Sequence, residues 1–197
     1  MSLRTLSLAV LALLFVSCKP SLKNGDLLFQ INDSGGFVDA IETSTRGNYS
    51  HVGILEIAED GSFVLEADPK KGVVRTPLAE FKECPGVHVF RIRNRRIARE
   101  AVRNAKKYLG RPYDFGFLPG METVYCSELV YESFRDPEGN PLFHQIPMSF
   151  HDANGKTLPF WKAYYDSLGI AIPEGQPGTN PNDLSKERIL IPVSVGF

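Results

Sequence analysis

The chain reads as an α+β protein, and three observations predict that class. Residues 25–92 carry short apolar runs broken by turn residues, the pattern of consecutive strands. Three helical patterns follow, over 95–109, 126–134 and 159–168. A last apolar run, 189–195, closes the chain as a strand. Strands and helices are therefore only partly interleaved, which argues against a regular βαβ repeat. At 197 residues the chain suits one domain with its own core.

Each element has a local cause. Gly25-Asp26 turns the chain into the strand Leu27-Leu28-Phe29-Gln30. Phe37, Val38 and Ile41 share one face of a short helix that frays toward Arg46-Gly47. Residues 51–57 form a strand, Asp60-Gly61 a two-residue hairpin turn, and 62–67 the return strand. Residues 72–76 extend the sheet, and 87–92 alternate Val87, Val89 and Arg91 against His88, Phe90 and Ile92. Ile97, Ala101 and Ala105 recur at helical spacing until Gly110 and Pro112 end the pattern. Leu129, Val130 and Phe134 form the buried side of the second helix, and Gly169 closes the third. Residues 171–181, rich in Pro and Gly, read as surface loop, and 183–186 as a single turn of helix.

The N-terminus is expected to lie outside the fold. Arg4 supplies a short positive region, and 6–16 is an apolar run too short to span a bilayer as a helix. Ser17 and Cys18 follow, a small residue and a Cys at the end of that run, as in bacterial lipoprotein processing. Residues 1–17 are read as a signal peptide, Cys18 as the acylated residue, 18–23 as a short tether and 24–197 as a single domain. That places the mature protein in the cell envelope, held to a membrane through Cys18. The net charge of −1 gives no reason to expect nucleic acid. The remaining thiols, Cys84 and Cys126, are both read as free.

The candidate chemistry lies in three short segments. Cys126 opens the helix at 126–134, and a helix N-terminus favours a thiolate and offers backbone N–H groups to a developing oxyanion. His51 enters an apolar strand after the polar run 46–50 and suits a general acid and base. Glu66 interrupts Phe63-Val64-Leu65, and a buried carboxylate there needs a partner; an imidazole would serve. Each residue alone is ordinary; the three together are the parts of a thiol hydrolase. A turn at Asp60-Gly61 would pair Leu55 with Glu66 and leave His51 and Glu66 four positions apart, roughly 13 Å. Asp68, on the same face and nearer in register, is then a rival. Tyr125, Tyr113 and Asp114 are candidates for the oxyanion or substrate site. There is neither His-Glu-x-x-His nor Cys-x-x-Cys, so no cofactor or metal is expected.

The segments Gly25-Asp26-Leu27-Leu28-Phe29, Tyr49-Ser50-His51-Val52-Gly53-Ile54, Val64-Leu65-Glu66-Ala67, Gly110-Arg111-Pro112-Tyr113-Asp114 and Tyr125-Cys126-Ser127-Glu128-Leu129-Val130 resemble, in that order, the permuted papain-like amidases of the NlpC superfamily. The subgroup is the YiiX/YebB-like one, whose late Pro-Asp-Leu element Asn180-Pro181-Asn182-Asp183-Leu184 resembles. In papain-like enzymes the Cys precedes the His; here His51 comes first, as circular permutation requires. The resemblance implies a small barrel-like antiparallel sheet flanked by helices. It also implies metal-free amide hydrolysis, with Cys126 as nucleophile, His51 as base and Glu66, in preference to Asp68, as third member. The expected substrate is a cell-wall-type peptide. A lipid ester or thioester, or a non-catalytic envelope binding module, are the alternatives.

Overall fold

The computed structural model describes residues 20–120 and 122–196, so the expected leader and Cys18 lie outside the described residues. The strands are β1 (Leu27–Ile31), β2 (His51–Ala58), β3 (Gly61–Asp68), β4 (Gly72–Pro77), β5 (Gly86–Ile92), β6 (Ile146–Pro147), β7 (Pro177–Gly178) and β8 (Leu190–Val193). The helices are α1 (Gly36–Thr45), α2 (Leu78–Phe81), α3 (Arg95–Lys106), α4 (Cys126–Ser133), α5 (Pro159–Leu168) and α6 (Pro181–Ser185). Six strands form one antiparallel sheet in the order β4-β3-β2-β1-β5-β8, and β6 pairs with β7 apart from it. None of the helices among the described residues is long and apolar enough to cross a membrane.

Strand alternation sorts the sheet into two faces. Leu27, Phe29, Val52, Ile54, Leu65 and Ala67 join the larger core with Ala98, Ala101 and Ala105 of α3 and Leu129 and Val130 of α4. Leu28, Leu55, Val64 and Val89 point the other way and pack with Phe81 of α2. Burying each of these larger side chains stabilises the fold by about 1.5–3 kcal/mol. The alanine stripe of α3 lets that helix lie close to the sheet. Its start is fixed by Asn94, whose side chain accepts from the Arg96 and Ile97 N–H groups at 3.1 and 3.2 Å. The last turn carries Arg103 and Lys106, favourable at the negative end of the dipole.

Some sequence expectations shift. The β2–β3 ladder pairs Ala58 with Gly61 and Leu55 with Val64, so the turn residues are Glu59 and Asp60 rather than Asp60 and Gly61. The register moves by two residues, which keeps every side chain on its expected face but brings Glu66 two positions nearer to His51. The helical pattern at 95–109 yields a helix only to Lys106, followed by turns. The single turn at 183–186 is the last part of α6, which starts at Pro181. Helix α2 and the β6–β7 pair were not anticipated. α2 is only four residues long, and β6 and β7 two each, too short for periodicity to register.

Candidate active site

The first position of β2, the middle of β3 and the first residue of α4 converge. His51 Nε2 lies 2.5 Å from Glu66 Oε2, both side chains nearly closed to solvent. Cys126 lies near enough to act on the same ring, which with Nε2 committed to Glu66 keeps Nδ1 available. The observed register puts Glu66 diagonally across from His51, a separation that long side chains bridge. Gly53 makes the route possible. A Cβ at that position would collide with Val64 Cγ1 and stand 3.4 Å from Glu66 Cβ. Asp68 does not compete, because its carboxylate accepts from the Lys70 and Lys71 N–H groups, each at 2.7 Å.

Electrostatics favour a charged imidazole. Burial alone would lower the His51 pKa; hydrogen bonding and charge from Cys126, then from Glu66, outweigh it and raise it to about 10. A thiol, an imidazole and a carboxylate joined in this way can hold one proton between sulfur and nitrogen and keep the ring in one orientation. Cys84 makes no disulfide with Cys126; both are free.

The remaining expected site residues are placed differently from one another. Tyr113 lines the cleft on both the His51 and the Cys126 sides, and burial raises its hydroxyl pKa well above the ordinary value. Tyr125 also lines the Cys126 side, but its hydroxyl accepts the Thr179 N–H at 3.0 Å and so secures the β7–α6 connection. Asp114 is turned away from the cleft. It accepts from the Gly116 and Leu118 N–H groups at 2.9 and 2.8 Å and so shapes the 114–118 loop.

Three residues that shape the site escaped sequence reasoning. Asn182 is buried in α6. It accepts the Tyr49 N–H at 2.9 Å and donates to the Tyr49 carbonyl at 2.8 Å and to Thr45 Oγ1 at 2.6 Å, clamping the segment that delivers His51. Phe117 is buried with φ 53°, a left-handed conformation unusual for a bulky residue, and lines the Cys126 side of the cleft. Glu128 sits two residues beyond Cys126. Burial first, and then the negative charge of Asp114, push its pKa up to about 8.

Glu128 therefore keeps its proton in the folded state after the unfolded chain has lost it. A carboxyl whose folded pKa is raised costs nothing at pH 4 and loses stability as pH rises from about 4.5 to about 8. Glu128→Gln is expected to raise the unfolding midpoint at pH 9 and to leave it unchanged at pH 4. Thermal unfolding at the two pH values decides the matter, and an equal change at both would refute it.

A sheet-and-helix frame that delivers a histidine from an early strand and a cysteine from a later helix belongs to a defined class. The model of the permuted papain-like amidase enzymes, the YaeF/YiiX or C92 family, matches residues 21–192, and the chain belongs to that family, a family of hydrolases. Its fold is accordingly the circularly permuted papain-like one, with the six-stranded antiparallel sheet flanked by helices. One relative is the uncharacterised protein YiiX of Escherichia coli strain K12, 35% identical over 137 residues. That match covers 66% of this chain and 66% of YiiX, just under two thirds of the relative's length. Among solved structures, the crystal structure described as metalloprotein yiiX from Escherichia coli O157:H7 matches with a TM-score of 0.74 and 26% identity, covering 89% of this chain and 98% of that one. Among the described residues here, no group of three or more His, Cys, Asp or Glu side chains is arranged to hold a metal ion.

Proposed function

We propose that the chain is a cysteine amidase that cleaves an amide bond in a cell-wall-type peptide. The observation that carries this reading is a single buried imidazole held by a buried carboxylate at 2.5 Å and acted on by a thiol that opens a helix. Cys126 Sγ attacks the carbonyl carbon. The oxyanion is met by the backbone N–H of Cys126, in the first turn of α4 where such groups lack intrahelical partners. The Tyr113 hydroxyl, held protonated by burial, is a second donor. His51 gives its proton to the amide nitrogen, the C–N bond breaks and the amine leaves, with a thioester left on Cys126. Water then attacks the thioester and gives a proton to His51. The C–S bond breaks and the acid is released. Glu66 keeps the ring oriented and supports its positive charge throughout. General acid–base transfer contributes about 10²- to 10⁴-fold.

Acylation of Cys18 would tether this activity to a membrane of the cell envelope, close to the fold, since Leu22 packs with the second apolar cluster and Arg91 Nη2 donates to the Ser21 carbonyl at 2.7 Å. The catalytic reading is tested by treating the mature protein with p-nitrophenyl acetate and locating the added mass. We expect one acetyl group on Cys126, formed much more slowly in His51→Ala. Acetylation confined to other residues would exclude the mechanism.

A further inference from the structure

The cleft is divided, and the division bears on substrate. Ile41, Ser50 and Tyr113 stand between its two halves. The His51 half is a mixed basin of about 280 Å³, with Gln30, Asn32, Asp68 and Lys71 set among apolar walls that include Phe37 and Phe81. The Cys126 half is a pocket of about 40 Å³, walled chiefly by Ile41, Phe117, Met148, Phe150 and Trp161. Past that pocket, sharing Ser44, Thr45, Met148, Ser149 and Asn180 with it, lies a third basin of about 490 Å³ that carries Arg46, Asp152, Asp183 and Lys186 beside Ile146 and Pro147. A small, almost wholly apolar pocket thus lies between two larger basins whose apolar walls also carry polar and charged groups.

The walls of the pocket are fixed. Trp161 Nε1 donates to Ser44 Oγ at 2.9 Å. The loop that carries Phe117 is braced by Asp114 from within. The Tyr164 and Tyr165 hydroxyls brace it from outside, donating to the Phe115 and Gly116 carbonyls at 2.9 and 3.2 Å. The Phe117 ring in turn meets Tyr125 and Trp161 edge-on, with centroids 5.3 and 6.2 Å away. A pocket so held does not widen at low cost.

Resting on the thiol-amidase reading above, we propose that this pocket takes a small apolar group, alanine-sized, on the acyl side of the scissile bond, and that the chain beyond it is polar, as in a peptide. His51 must reach the departing nitrogen, so the amine leaves through the larger basin on its own side. The acyl group, bonded to Sγ, is left with the Cys126 pocket. Of the three spaces it is by far the smallest, and its lining is almost entirely apolar. A methyl group fits it. A long alkyl chain would have to displace packed rings or continue into a basin that carries Arg46, Asp152, Asp183 and Lys186, where burial gives it less than an apolar pocket would.

The test holds the leaving group constant. p-Nitrophenyl acetate, propionate, butyrate and octanoate, and the p-nitrophenyl ester of N-acetylalanine, are compared by the nitrophenolate burst and by the mass gained at Cys126. The N-acetylalanine ester is expected to acylate fastest, and acetate and propionate at least tenfold faster than octanoate. Phe117→Gly removes the ring at a backbone angle that glycine adopts freely, and it should move the preference toward butyrate and octanoate. Ile41→Ala, in a different element, should move it the same way if the first variant does not fold. Octanoate matching or exceeding the short esters in the wild type would overturn the small pocket and leave the thiol mechanism standing. Failure of every ester to acylate Cys126 would overturn the mechanism and this proposal with it.

Discussion

Replacing Cys126 with alanine is expected to abolish amide hydrolysis, a loss on the order of 10⁶-fold, while the fold survives. Cys126 is buried, and alanine suits the first turn of α4, so the change removes one sulfur atom and little packing. A second readout belongs to the geometry. The largest contributions that raise the His51 pKa come from Cys126, so removing the sulfur should move the imidazole titration down from about 10. An NMR titration of His51 in the two proteins measures this directly. Retained turnover in Cys126→Ala would remove the thiol from the mechanism. An unmoved His51 titration would mean that the two side chains are not coupled.

Glu66→Gln is expected to cost about 10²- to 10⁴-fold in turnover, because a neutral amide keeps the contact to Nε2 but not the negative charge that supports an imidazolium. It should also change how stability depends on pH. His51 has a folded pKa above its ordinary 6.5, so the stability it contributes is fully present below pH 6.5 and is lost as pH rises toward about 10. In Glu66→Gln the folded pKa falls, and that loss is complete at a lower pH. Chemical denaturation between pH 6 and 10 reads the shift. Asp68→Asn is the comparison. If it proves the more damaging of the two, Asp68 and not Glu66 is the partner of the imidazole.

What the sequence discloses follows from how local each cause is. Pro159–Leu168 is legible to the residue, because Pro starts the helix and Gly169, at φ 67°, supplies the left-handed cap that ends it. The antiparallel α+β layout was legible for a similar reason, since alternation marks strands and the three helical patterns are long. The β2–β3 register was legible only modulo two. Alternation fixes which face a residue takes but not where the turn falls, and Asp60-Gly61 looked like the turn when Gly61 is already paired in the ladder. That error placed Glu66 too far from His51 on geometry alone; the family resemblance, not the spacing, favoured it over Asp68. The Asn182 clamp had no local signal at all, because its partner Tyr49 lies 133 residues away in the chain. Nor did Phe117, whose ring finds its neighbours Phe37, Tyr125 and Trp161 in separate parts of the chain.

The order of the three segments along the chain has a consequence during synthesis. His51 and Glu66 sit on one hairpin, 15 positions apart in sequence, and both have emerged from the ribosome well before Cys126. At about 5–20 residues per second, the 60 residues from Glu66 to Cys126 take roughly 3–12 s to be made. In that interval the nascent chain carries a base and its carboxylate but no nucleophile. When the cysteine emerges it enters as the first residue of a helix whose docking on β2 and β3 completes the constellation. The thiol therefore meets strands that already carry its base and carboxylate, whereas Met148, Phe150 and Trp161, which wall its pocket, are made only after it.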